Sequence, residues 1–169
     1  MLATAAPLGK SIHIVSRANK RFLTSNGGRY PMTFDRESPS GWEYWEIRDA
    51  GGYRVNFVQH IDTRTLFASQ KLEIHGDGPM YSNRRWAMSW EQFKWEPRQG
   101  GFFSIKCHNS RWARVAANGQ LFCNGTGGGE DQEEQFYYLV GMQGVWAAGV
   151  IQWPYDAIYG DKHRWYKIR

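Results

Sequence analysis

Long apolar runs are missing from this sequence, and nothing in its 169 residues approaches the roughly 20 consecutive apolar residues of a membrane-spanning helix. Apolar residues at helical spacing are missing too, since no useful length between 11 and 141 repeats them with a period near 3.6. Cysteine is scarce. Cys107 and Cys123 stand alone, with no CxxC and no histidine at zinc-ligand spacing, which excludes a zinc module and a disulfide-dense scaffold. The pair is compatible with one bridge, but a chain with its own core needs none, so reduced, packed thiols are the expectation. Basic runs are short: Lys and Arg number 21 against 16 Asp and Glu, a net charge of +5, and they cluster only at Arg84-Arg85, Arg111 with Arg114, and Lys162-His163-Arg164. A single-stranded nucleic acid groove needs a longer basic track, so nucleic acid is disfavoured. Residues 1–10 are too short for a signal peptide and read as a flexible leader. The expected location is cytoplasmic, with secretion as the alternative; in the second case Asn124-Gly125-Thr126 is a glycosylation acceptor.

What the chain has in abundance is large rings. Aromatic residues make up 16% of it, nine of them Trp, while charged residues stay at an ordinary 22%. Rings of this size suit pleated cores and binding faces.

These rings recur in order. Trp90-Glu91-Gln92-Phe93-Lys94-Trp95 has a counterpart 48 residues earlier, Trp42-Glu43-Tyr44-Trp45-Glu46-Ile47, and another 43 residues later, Glu133-Glu134-Gln135-Phe136-Tyr137-Tyr138. After the first two copies come Gly51-Gly52 and Gly100-Gly101, and then the alternating runs Val55-x-Phe57-x-Gln59-His60 and Phe103-x-Ile105-x-Cys107-His108. Ile12-x-Ile14-x-Ser16 opens the chain in the same way. Period two predicts strands. A polar turn and a second short apolar segment follow each run: Phe22 to Ser25, Leu66 to Ser69 and Arg114 to Ala117, with Thr24, Ala68 and Ala116 read as equivalent. The units, about 11–50, 53–97 and 102–140, each carry four strand candidates, and a repeat of this length cannot bury its apolar face alone.

Three four-strand units predict an all-β chain folded as a β-trefoil, six strands closing a barrel and three hairpins capping one end. Within one domain over 11–169, Trp45, Phe93 and Phe136 should then meet in the barrel core. The segments Asn19-Lys20-Arg21-Phe22-Leu23-Thr24, Thr63-Arg64-Thr65-Leu66-Phe67-Ala68 and Ser110-Arg111-Trp112-Ala113-Arg114, taken with the three W-E copies, resemble the fascin-like, actin-crosslinking β-trefoil family over about 130 residues. That resemblance implies a single lobe working as a binding module, with a glycan or an acidic protein such as actin as partner. The ricin-type Q-x-W signature is missing from the corresponding strands.

Chemistry is sparse. His60 and His108 recur with Ser16 as the third member, but equivalent positions on separate lobes lie apart, and no nucleophile accompanies them, so neither an enzyme nor a metal or other cofactor is expected. Glu43, Glu91 and Glu134 read as holders of strand ends or loops. Sugar recognition needs a flat ring beneath a pyranose with polar groups around it. Candidates by type are Asn83, Arg84, Arg85 and Trp86, then Asn109, Arg111 and Trp112, and in the aromatic extension 142–169, Trp153 and Tyr155. That extension is expected to complete the barrel beside Ile12 and Ile14. A monomer is expected.

Overall fold

The computed structural model describes residues 6–61, 63–70 and 78–140 in full, and the strands Val150–Gln152 and Trp165–Lys167. Twelve strands form one continuous sheet. The first repeat gives β1 (Ser11–Ser16), β2 (Phe22–Thr24), β3 (Thr33–Arg36) and β4 (Trp45–Gly51). The second gives β5 (Arg54–Ile61), β6 (Arg64–Ser69), β7 (Tyr81–Arg84) and β8 (Lys94–Pro97), and the third β9 (Phe103–Lys106), β10 (Trp112–Val115), β11 (Leu121–Gly125) and β12 (Phe136–Val140).

The first and last strand of each repeat build the barrel. Antiparallel ladders join β1 to β4, β4 to β5, β8 to β9, β9 to β12 and β12 back to β1. The remaining seam, β5 to β8, is closed by Val55 and Phe93, which exchange both backbone hydrogen bonds at 2.8 and 3.0 Å. A closed ring leaves no barrel strand with an unpaired edge. The other six strands are the hairpins β2–β3, β6–β7 and β10–β11.

Three-fold symmetry is visible in the hydrogen bonds. Met32 N–H donates to the Met80 carbonyl (2.9 Å), Met80 N–H to that of Leu121 (2.8 Å), and Leu121 N–H to that of Met32 (3.3 Å), a cyclic triangle with one corner from each repeat. Each hairpin also shifts register at one place, after Phe22, Phe67 and Trp112. An extra residue at a bulge displaces everything beyond it. The equivalent residues are therefore Leu23, Ala68 and Ala113, and the expected match of Thr24, Ala68 and Ala116 is corrected.

Trp45, Phe93 and Phe136 each lie two residues past a 3-10 turn, Gly41–Glu43, Ser89–Glu91 and Gln132–Glu134. All three are fully buried in a single core with Ile12, Ile14, Phe34, Phe57 and Phe103. The glutamate ending each turn is buried with them and accepts backbone N–H groups: Glu43 from Ser40 (2.7 Å), Glu91 from Met88 (2.8 Å), and Glu134 from Gly127 (2.9 Å) and Gly129 (2.7 Å). Such groups would be costly to bury unpaired.

Two expectations are corrected. Cys107 and Cys123 are joined as a disulfide, because β11 folds back over the end of β9 and brings their Cα atoms to 6.0 Å, within bridging range. The second repeat puts Gln59 and Ser82 at these places, and each keeps a buried oxygen with no hydrogen-bond partner. The C-terminal extension does not supply a barrel strand beside Ile12 and Ile14, since β12 already pairs there, Ile12 with Val140 and Ile14 with Tyr138. Instead β13 (Val150–Gln152) and β14 (Trp165–Lys167) pair with one another in a separate two-stranded sheet.

Candidate functional site

A cavity of about 360 Å³ opens where the end of β1 meets the turn before β12 and the end of β8, lined by Arg17, Pro97, Arg98, Gln99, Glu130 and Gln135. Such a volume suits a single small ring with its substituents. Arg98 is fastened on every side: Nε donates to Ser104 Oγ (3.1 Å), Nη1 to Glu130 (2.8 Å) and Nη2 to the Gly128 carbonyl (2.8 Å), while its guanidinium carbon lies 5.0 Å from the Trp112 ring. Buried Gln135 donates to the Gly129 carbonyl (3.2 Å) and accepts from Arg17 Nη1. Arg17 lies 4.5 Å over the Phe102 ring. The walls are thus planar polar groups held before any ligand arrives, the arrangement that limits the entropic cost of binding.

The sequence-chosen residues lie elsewhere, apart from one at the border of this cavity. Asn83 and Arg84 end β7, and Arg85 and Trp86 follow in the loop toward Ser89–Glu91, where Trp86 is 75% exposed and Met88 70%. Asn83 Oδ1 is buried with no hydrogen-bond partner. Asn109 serves its own turn, with Oδ1 accepting from Arg111 N–H (2.9 Å) and Nδ2 donating to the Cys123 carbonyl (2.9 Å). Asn19 does the same in the first repeat, toward Arg21 N–H and the Phe34 carbonyl. Arg111 is exposed on that turn, and Trp112 is half-buried with Arg98 and Lys106 cations against its ring. Trp153 and Tyr155 lie outside the described residues.

His60 and His108 lie apart, each with its own local partner. His60 Nε2 is 2.7 Å from Glu46, whose carboxyl is held below its ordinary value by hydrogen bonds from Arg48 first and then His60. His108 meets Trp90 edge-on at 4.8 Å. The strand registers place Ile14, Phe57 and Ile105 in equivalent positions, so the first-repeat counterpart of His60 and His108 is Arg17 and not Ser16. Among the described residues no group of three His, Cys, Asp or Glu side chains could hold a metal ion. No helix among them is long and apolar enough to cross a membrane.

The cavity escaped the sequence reading because its lining comes from all three repeats. A signal was present: Arg17 is a permanent cation where the other repeats carry histidine.

No protein-family model and no curated relative matches the sequence. Among solved structures, the chain is similar to the designed three-fold symmetric protein ThreeFoil, with a TM-score of 0.63 at 11% identity over 76% of this chain and 97% of that one. It is similar to SeviL, solved bound to asialo-GM1 saccharide, with a TM-score of 0.60 at 12% identity over 78% and 97%. It also overlays a mosquitocidal holotoxin with a TM-score of 0.68 at 10% identity, covering 80% of this chain but only 18% of the toxin. Identities this low carry the architecture alone, and the architecture is that of a β-trefoil.

Proposed function

We propose that this chain is a non-enzymatic, lectin-like module that binds carbohydrate through Trp86 and the polar side chains of Asn83, Arg84 and Arg85. The observation that carries the reading is the exposure of Trp86. An indole 75% open to solvent beside an equally open Met88 covers nothing inside the fold, and a flat ring flanked by hydrogen-bonding side chains is what the apolar face of a pyranose stacks upon. The likeness to SeviL, whose structure holds a saccharide, supports the same reading. Catalysis finds no support, because the three repeat-equivalent glutamates are engaged with backbone N–H groups. The Cys107–Cys123 bridge supports secretion over a cytoplasmic location, since such bridges persist in oxidising compartments. A fascin-like, actin-binding role draws on sequence resemblance and net charge, and nothing among the described residues adds to it.

A glycan array tests the reading. The wild-type chain should bind a defined set of glycans, and Trp86→Ala should reduce that binding at least about tenfold while leaving the melting temperature unchanged, because an exposed ring contributes little to folding. Absence of binding across the array, or full binding by Trp86→Ala, would overturn the assignment.

A further inference from the structure

We infer that the cavity at Arg17 is a second subsite, specific for the carboxylate of an acidic sugar residue; its identity as a sugar site rests on the carbohydrate-binding reading above, but its charge preference does not. At the equivalent seam His60 faces the Glu46 carboxylate at 2.7 Å. The strand registers, Glu46 opposite Val58 and Tyr137 opposite Val15, make Tyr137 the counterpart of Glu46 beside Arg17. The third repeat therefore offers a phenol where the first offers a carboxylate. Burial pushes the Tyr137 hydroxyl above its ordinary pKa, so it supplies no negative charge at neutral pH.

Arg17 is left with a charge and no acid. Among the described residues it forms no ion pair, and its side chain has only the Gln135 amide and the Phe102 ring for company. The one carboxylate in the cavity wall, Glu130, is bound to Arg98 at 2.8 Å and offsets that guanidinium. The cavity therefore carries one net positive charge, with further Arg17 N–H groups open to a planar, two-oxygen acceptor. A carboxylate matches a guanidinium fork in geometry and charge. Around it the amide of Gln99 can meet ring hydroxyls, and the volume accommodates about one monosaccharide. The other repeats carry a histidine here, so the guanidinium at this position is confined to the first repeat.

Titration calorimetry with methyl β-glucuronide, its neutral isostere methyl β-glucoside, and acetate tests this on the full chain. The glucuronide should bind about ten- to a hundredfold more tightly than the glucoside, the range of a charge-assisted pair, and the margin should shrink between about 50 and 300 mM salt. Arg17→Gln should remove the margin without affecting binding at Trp86. Because that variant also disturbs the Gln135 contact, a second readout uses the wild type: the Arg17 Nε–H resonance should move with the glucuronide and stay still with the glucoside. Equal affinity for the two glycosides would overturn the charge preference while leaving the Trp86 reading intact. Acetate binding as tightly as the glucuronide would overturn the sugar assignment, and a glucuronide that binds without moving the Arg17 resonance would overturn the location.

Discussion

Glu134→Gln isolates what the buried carboxylates do. Both Glu134 oxygens are engaged, Oε1 by Gly129 N–H at 2.7 Å and Oε2 by Gly127 N–H at 2.9 Å, with Arg114 Nη1 at 3.4 Å from Oε2. Glutamine keeps the shape but replaces one acceptor by a donor, so one N–H group meets an NH2 inside a fully buried site. Losing a hydrogen bond to a charged group costs about 1.5–3 kcal/mol and stranding a buried donor about 1–3, with overlap between them. The expected loss is about 2–4 kcal/mol, or roughly 5–15 °C in melting temperature for a chain of this size. The other repeats provide the control. Glu91 accepts from Met88 N–H and from the Ser69 hydroxyl, and a hydroxyl can turn to accept from the new amide. Glu43 uses Oε1 for both the N–H and the hydroxyl of Ser40, which glutamine retains, while Oε2 has Arg36 Nε at 3.9 Å, beyond hydrogen-bond distance. Glu91→Gln and Glu43→Gln should therefore cost about 1 kcal/mol or less each. Urea unfolding of the three variants measures this, and equal losses in all three would refute the argument from acceptor count.

Three further outcomes follow from the fold. Trp45→Ala, Phe93→Ala and Phe136→Ala should each cost about 3–5 kcal/mol in urea unfolding, because each removes a fully buried ring from the same core; a loss below about 1 kcal/mol at any of them would remove that position from the core. Breaking the Cys107–Cys123 bridge, which spans 16 residues, should lower stability by about 3 kcal/mol, measured by melting the chain with and without reductant. Burial holds His13 below its ordinary pKa near 6.5, even though its Nδ1–H donates to the Glu43 carbonyl at 2.6 Å. The unfolded chain then takes up the proton first, so stability should be level above about pH 6.5 and fall as the pH drops below it, a slope that His13→Asn should reduce.

The barrel was legible in the sequence because equivalent core positions must be apolar in every repeat. Trp45, Phe93 and Phe136 announce themselves through the polar turns before them, and each repeat carries four strands as expected, although β7 (Tyr81–Arg84) and β10 (Trp112–Val115) are displaced from the apolar segments that mark them. Hairpin register was less legible, since a bulge adds one residue without changing the apolar pattern around it. The sequence alone therefore aligns Thr24 and Ala116 where the structure aligns Leu23 and Ala113. Ser16 is level with Gln59 and Cys107, one residue short of the position that His60, His108 and Arg17 share. The two cysteines are compatible with a bridge but do not require one, because they carry no repeat signal; their counterparts in the second repeat are Gln59 and Ser82. Trp86 was readable as a ring among polar residues, whereas the Arg17 cavity depends on Glu130 and Arg98 arriving from distant segments, which no local pattern encodes.

The pairing of Ile12 with Val140 has a consequence for what chain order means in this molecule. A ring has no first member. If a short linker joined the end of β12 to the start of β1 and new ends were cut at Gly51-Gly52, the same twelve strands would exist in a different order, with every ladder kept. The cut falls in a turn where both glycines are exposed and hold positive φ, so no packed residue is disturbed. What changes is which seam must bring distant ends together, and with it the entropy spent on closure and the repeat that folds last. The natural order is thus one of three nearly equivalent ways to thread this barrel.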